Sequence, residues 1–488
     1  MKLFNLRLIL KTMGGLILIE SIFLLLMIPI PLYYGESDAR YFLISSLISA
    51  LFGGTFLLLG KNATPTMGKR EGAVIVTIVW VVFSLFGMLP YWLSGAICSF
   101  TDAFFETMSG FTTTGASILV DTEALPHGML FWRSFTQFVG GIGIIVLSIA
   151  ILPLFGVNSN QLFAAEHSTP KQNKIRAKIS DTVKRLFLIY ITLTVVESVL
   201  LVVGDMDIFD AVCQSFSTTA TGGFSTKNNS IAHWDSPFIQ YVIAIFMLLS
   251  GINFVVYYFG IKGKFAKIKE NEELRYYLLV FGIVLLITIL SFIDLSKEFD
   301  FASVSHSFRN GFFTVASLMT TTGFGTIDYL DWQPSIVLIL LFVMIIGGSA
   351  GSTSGGLKMI RIVIAVKACY HQFKRIVHPN AVIPVRYNKS LVQNEIVTNV
   401  LTYILLYIII ALIGSFILSL TGLNLREAVG TIVSCTSGVG AGFSVAGTFG
   451  NYAEISVFAK WFLSFVMLIG RLEFFTVLLL FAPAFWKN

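Results

Sequence analysis

Residues 308–325 read FRNGFFTVASLMTTTGFG: an apolar, helix-like segment that runs straight into three threonines and a Gly-Phe-Gly ending. Three more stretches share that form. Residues 102–116 read DAFFETMSGFTTTGA, residues 209–224 read FDAVCQSFSTTATGGF, and residues 425–440 read LREAVGTIVSCTSGVG. Aligned on the first glycine after each hydroxyl cluster, they give four triplets. These are Thr113, Thr114 and Gly115; Ala220, Thr221 and Gly222; Thr321, Thr322 and Gly323; and Thr436, Ser437 and Gly438. Successive glycines lie roughly 100 residues apart, too long a period for a solenoid repeat.

One such cluster would be an ordinary solvated turn, because Thr, Ser and Gly are common turn residues. Four at similar spacing, each behind an apolar segment, imply a shared site. A dehydrated cation needs oxygens in place of its water, and rings of backbone carbonyls supply them. Glycine reaches backbone angles closed to other residues, so successive carbonyls can face one axis. The short preceding helices aim their carbonyl ends, each worth about half a negative charge, at a central cation.

The rest of the chain is made for lipid. Of 488 residues 55% are hydrophobic and 12% charged, mean hydropathy is +0.82, and 45 residues are Phe. Apolar runs long enough, or nearly so, to cross a bilayer appear at 7–32, 41–60, 73–97, 129–155, 183–203, 237–261, 275–293, 334–370, 396–421 and 456–483. Most of the 33 basic residues fall in alternate linkers, including Lys2, Arg7, Lys11, Lys171, Lys262, Lys374 and Lys487. The opposite linkers hold Asp38, Asp121, Asp205, Asp235 and Asp328. This asymmetry predicts both termini on the cytoplasmic side. The first apolar run lacks a small-residue cleavage site and reads as a retained helix. The predicted fold is an all-α integral membrane protein. Residues 1–66 form two extra N-terminal transmembrane helices. Four pseudo-symmetric span–pore-helix–filter–span repeats follow around one pore, at 67–157, 158–265, 266–375 and 376–488.

At the four clusters the chain resembles the Trk/Ktr/HKT superfamily of potassium transporters, most of all the bacterial Trk-type pore subunit. Further stretches carry the resemblance along nearly the whole chain. They are Gly140-Gly141-Ile142-Gly143, Asp235-Ser236-Pro237, the run from Gly347 to Lys358, Val377-His378-Pro379-Asn380-Ala381-Val382 and Gly470-Arg471-Leu472-Glu473. The resemblance implies potassium at the filter residues, where Gly115 stands in place of the Ser that accompanies sodium preference in the plant branch. It also implies a homodimer with one pore per subunit, a cytosolic nucleotide-binding RCK/KTN-type regulatory subunit and a bacterial inner membrane. Nucleotide is expected only on that partner, and no covalently bound cofactor is expected. Two positions depart from the family pattern: Ser354, where relatives carry a third glycine, and Cys435-Thr436-Ser437 in the fourth filter.

Five glycines, at 347, 348, 351, 355 and 356, interrupt the run at 334–370 and predict a broken helix. Small-residue helix packing is the plainer account of the same spacing. By resemblance this is an intramembrane gate made of Gly347, Gly348, Gly351, Ser352, Gly355, Gly356 and Lys358. Arg471 is a lone cation in the last apolar run, and a charge there costs at least about 2.5 kcal/mol at the bilayer centre. It either pairs with a carboxylate such as Glu473 or lines the inner pore as a barrier to cations. Glu20, Glu197 and Glu395 fit helix-packing hydrogen bonds.

Enzyme signatures fail. Gly347-Gly348-Ser349-Ala350-Gly351 matches GxSxG but has helical flanks and no triad partners, and Lys358 falls one residue late for a Walker loop. Cys98, Cys213, Cys369 and Cys435 have no metal-ligand spacing. No basic segment is interleaved with aromatics for nucleic acid. The basic linkers, including His371 and His378, suit a soluble partner or anionic lipid. The four filter loops favour potassium uptake through a channel-like pore, and the alternative is a potassium symporter coupled to protons or sodium.

Overall fold

The computed structural model describes residues 5–64, 68–150, 172–292, 301–381, 383–443, 445 and 447–486. Lys2, Lys171, Val382 and Lys487 lie outside them. Helix follows helix throughout, and the one sheet among the described residues is the two-residue pair Arg386–Tyr387 with Ser390–Leu391. Six described helices are long and apolar enough to cross a membrane, or eight when two bent pairs count as one crossing each.

The first two spans, Leu6–Met27 and Ala39–Leu59, form a hairpin closed by small residues. A Cβ on Gly14 would lie 2.7 Å from the Gly53 carbonyl oxygen, so the two backbones touch. Ser21 and Ser46 exchange hydroxyl and carbonyl hydrogen bonds at 2.9 Å across the same seam. Lipid gives helices no hydrophobic reason to associate, so close approach and polar contacts hold such pairs.

Each repeat then supplies an outer helix, a short helix and an inner helix. In repeat one these are Lys69–Gly87, Phe100–Phe111 and His127–Ala150. Repeat two has Gln172–Val203, Ile208–Thr219 and Pro237–Ser250, continued by Phe254–Ile261. Repeat three has Glu272–Phe292, Phe301–Met319 and Pro334–Ile346, continued by Met359–Val377. Repeat four has Asn394–Ser419, Leu425–Ser437 and Val457–Leu472, continued by Phe474–Leu478. Side-chain caps start three of the short helices: Ser99, Asp207 and Asn424 each accept a first-turn N–H.

The inner helices break more often than the hydropathy pattern indicates. The run at 334–370 is interrupted between Ile346 and Met359, as its glycines predict. The runs at 237–261 and 456–483, expected as single spans, bend by 93° and 117°. In the first, the Asn253 side chain accepts from the Val255 N–H and starts a new helix. In the second, Glu473 sits at φ +65, which ends the helix at Leu472. Neither break carries a proline, so hydropathy passes over both.

Candidate ion pathway

All four short helices end in the same way. A residue in the left-handed region follows or closes the last turn: Thr113 (φ 51), Thr221 (φ 53), Thr321 (φ 58) and Gly438 (φ 74). The next N–H reaches back five residues to a serine carbonyl. Thr114 donates to Ser109 at 2.9 Å, Gly222 to Ser217 at 2.8 Å, Thr322 to Ser317 at 2.8 Å and Val439 to Ser434 at 2.9 Å. That is the Schellman pattern, which satisfies helix-end carbonyls and turns the chain away from the helix axis. Two residues after each left-handed residue comes a glycine that is itself left-handed: Gly115 (φ 77), Gly223 (φ 80), Gly323 (φ 83) and Gly440 (φ 74).

This geometry corrects the register of two clusters. The equivalents of Gly115 are Gly223, Gly323 and Gly440, so the matched triplets are 113–115, 221–223, 321–323 and 438–440. Gly222 falls one position early and Gly438 two. Ala220 caps its helix, and Thr436 and Ser437 are the last turn of theirs. The first glycine after the hydroxyls misleads for two reasons: in the second cluster Gly222 stands where the first and third carry Thr114 and Thr322, and in the fourth a glycine takes the left-handed cap that threonine takes in the other three.

The four glycines meet around a closed ring. A Cβ on Gly115 would stand 2.1 Å from the Gly222 carbonyl oxygen. On Gly223 it would stand 2.0 Å from Thr322 O, on Gly323 2.1 Å from Val439 O, and on Gly440 2.3 Å from Thr114 O. Each repeat thus leans a carbonyl on its neighbour's glycine, and the fourth returns to the first. At these positions both the backbone angle and the adjoining oxygen require glycine. The closure is reinforced away from the ring, where Lys460 pairs with Asp102 at 2.6 Å and the Tyr452 N–H donates to Ser117 O at 2.8 Å.

The model of the family described as TrkH, cation transport protein, matches residues 39–488. The chain belongs to the TrkH family. It is 36% identical over 485 residues to the Trk system potassium uptake protein TrkH of Salmonella typhimurium, covering 99% of each chain. It is 31% identical over 488 residues to the Trk system potassium uptake protein TrkG of Escherichia coli, covering 99% of each. The crystal structure of the potassium transporter TrkH from Vibrio parahaemolyticus superposes with a TM-score of 0.90 at 31% identity, over 99% of this chain and 100% of that one.

In this TrkH-family chain the segment between the halves of the third inner helix runs against the ends of the second, third and fourth short helices. The Thr353 hydroxyl donates to Thr219 O at 3.0 Å, at the end of the second short helix. The Gly355 N–H donates to the Thr321 hydroxyl at 2.6 Å, and the Gly356 N–H to Ser437 O at 3.0 Å. A Cβ on Gly355 would lie 1.8 Å from Ser437 O. Ser349 donates its N–H to Gly251 O at 2.9 Å, tying the segment to the break in the second inner helix. Gly347, Gly351 and Gly356 all have positive φ, and Gly348 packs on Ser354. The Ser352 hydroxyl donates to Ser349 O, and the Lys358 ammonium to Ser354 O.

Arg471 is buried and donates through Nη1 to Thr353 O at 2.8 Å and through Nη2 to Gly140 O at 3.2 Å. It does not pair with Glu473, the neighbour two residues on. The helix break turns Glu473 away, and its carboxylate pairs with Arg361 at 2.7 Å. The Arg361 guanidinium in turn lies 3.9 Å over the Tyr403 ring. Glu395 is exposed, and Glu20 is buried beside Gly87 with no hydrogen-bond partner among the described residues. Packing hydrogen bonds therefore account for neither.

Sequence reasoning missed Arg133, Glu106 and Gln137. Arg133 and Glu106 form a buried pair at 2.6 Å, and Glu106 also accepts from the Ile118 N–H at 2.8 Å, three residues beyond Gly115. An acid in a short helix and a base in the following inner helix were visible, but their distance in the chain hid the pairing. Among the described residues no group of His, Cys, Asp or Glu is arranged to hold a metal ion.

Proposed function

We propose that this chain is the membrane subunit of a potassium uptake system and conducts the ion through a channel-like pore at the four-filter ring. The closed circuit of glycines and carbonyls at 113–115, 221–223, 321–323 and 438–440 carries this reading. A ring of backbone carbonyls replaces the hydration shell of an ion in transit, and the relatives are named as potassium uptake proteins. The segment 347–358 is the gate, because it lies across the inner ends of filters two, three and four. Arg471 stands beside that segment as a fixed positive charge that slows cations leaving the filter. Both termini face the cytoplasm across a bacterial inner membrane, a reading that the basic linkers support. Two copies, each with its own pore, work with a cytosolic regulatory subunit of RCK/KTN type that binds nucleotide.

The test is potassium or rubidium uptake into liposomes holding the purified protein, with and without a proton or sodium gradient. Uptake driven by the potassium gradient alone is expected. Uptake that requires a second gradient would identify a coupled symporter and overturn the channel reading.

A further inference from the structure

The four filters are not braced alike. In filter one the Thr112 and Thr114 hydroxyls pair at 2.9 Å, and in filter three Thr320 and Thr322 pair at 2.7 Å. The matching positions of filter two are Ala220 and Gly222, which carry no hydroxyl. Their place is taken by a residue from another repeat. Gln137, fully buried on the first inner helix, donates Nε2 to Gly222 O at 2.7 Å. Its Oε1 accepts the Phe224 N–H at 3.2 Å. A Cβ on Gly222 would lie 2.4 Å from the Gln137 Cδ, so the carboxamide fills the space a side chain at 222 would use.

The same helix holds the next stretch of this filter. Arg133, one turn before Gln137, donates Nη1 to Ser225 O at 2.7 Å and lies 3.7 Å over the Phe224 ring. The Gly222 carbonyl is the one that abuts Gly115 in the ring. It also belongs to the peptide between Gly222 and Gly223. A peptide flanked by two glycines has the least steric resistance to rotation, so this carbonyl most needs holding from outside.

We infer that Gln137 is a specificity-determining positioning residue that fixes the Gly222 carbonyl in the ring by gripping the backbone on both sides of Gly223. The inference rests on the ring being the selectivity filter. A donor on the 222 carbonyl and an acceptor for the 224 N–H together lock the intervening residue. They do for filter two what the threonine pairs do for filters one and three. Without Gln137 the peptide between Gly222 and Gly223 is free to rotate, the oxygens of the ring lose their fixed spacing, and discrimination of potassium from sodium weakens.

The experiment measures potassium-over-sodium preference in proteoliposomes, together with total flux per folded protein. Gln137→Leu keeps the bulk and removes the hydrogen bonds. Its preference is expected to fall about tenfold, the scale set by one buried hydrogen bond, while folded yield stays close to that of the parent. A triple variant, Gln137→Ala with Ala220→Thr and Gly222→Thr, rebuilds the hydroxyl pair of filters one and three in the vacated space. Gly222 has no positive φ and so admits a side chain there. The triple variant is expected to regain most of the lost preference, a recovery that a purely structural role would not produce.

Gly115→Ser is run alongside, because it strikes the ring without touching Gln137. If Gly115→Ser lowers the preference and Gln137→Leu does not, the inference is overturned and the filter assignment stands. If neither lowers it, the filter assignment falls and the inference falls with it. If Gln137→Leu does not fold, the triple variant decides: near-parental preference supports the inference, and a lowered one overturns it.

Discussion

Gly438 and Gly440 stand two residues apart with the same φ of 74°, yet the structure predicts opposite tolerance. Both would bear about 1–2 kcal/mol for holding a side chain in the left-handed region. Beyond that they differ. A Cβ on Gly438 meets nothing nearer than Thr113 O at 4.0 Å, and three filters already carry threonine at this position. A Cβ on Gly440 meets Thr114 O at 2.3 Å, Ala116 N at 2.4 Å and the Gly115 carbonyl carbon at 2.4 Å, all backbone. Relieving that overlap needs a shift of about 1 Å in the first filter, an overpacking cost of about 2 kcal/mol or roughly thirtyfold. Gly438→Ala is therefore expected to keep potassium-over-sodium preference within about threefold of the parent, whereas Gly440→Ala loses roughly thirtyfold. Tracer uptake with competing sodium, normalised to folded protein, reads both. Equal losses, or a greater loss at Gly438, would refute the register and return the fourth filter to 436–438.

Other substitutions probe the surrounding parts. Arg471→Ala is expected to raise flux per folded protein by up to roughly thirtyfold, since a unit charge about 8 Å away at an effective dielectric near 20 repels a cation by about 2 kcal/mol. Unchanged or reduced tracer uptake by a well-folded variant would exclude the barrier. Gly355→Ala should push the gating segment from Ser437 and make uptake independent of any regulatory partner, measured with and without that partner. Arg361→Met leaves the Glu473 carboxylate without its cation and should cost about 3–5 kcal/mol of stability. Adding Glu473→Gln should recover much of that in thermal unfolding, and additive losses would deny the pair.

The spans and the four clusters were legible because both are local. An apolar run announces a crossing by length, and Thr-Thr-Thr-Gly announces an irregular segment by composition. The register at Gly223 and Gly440 was not legible, because it depends on which N–H closes onto Ser217 and Ser434. Nothing in the letters distinguishes a glycine needed for its φ from one needed for space. The glycine break at 347–356 could be read directly, but the bends at Asn253 and Glu473 lie within otherwise apolar runs. Gln137 was hidden for a further reason: its partner is the backbone of residues 85 and 87 positions away. A partner that offers only its main chain leaves no mark of its own type in the sequence.

Lys460 and Asp102, which seal the fourth repeat to the first, lie 358 residues apart. A chain emerging from the ribosome at about 5–20 residues per second presents Gly440 roughly 20 to 60 s after Gly115. Throughout that interval the Thr114 carbonyl has no fourth-repeat glycine to rest on. The ring thus closes only near the end of synthesis, after three of its quarters are already in the membrane. A ribosome that stalls before the last repeat leaves a lipid-embedded fragment whose polar interior has no closing wall, and its prompt removal becomes a condition for keeping the membrane tight.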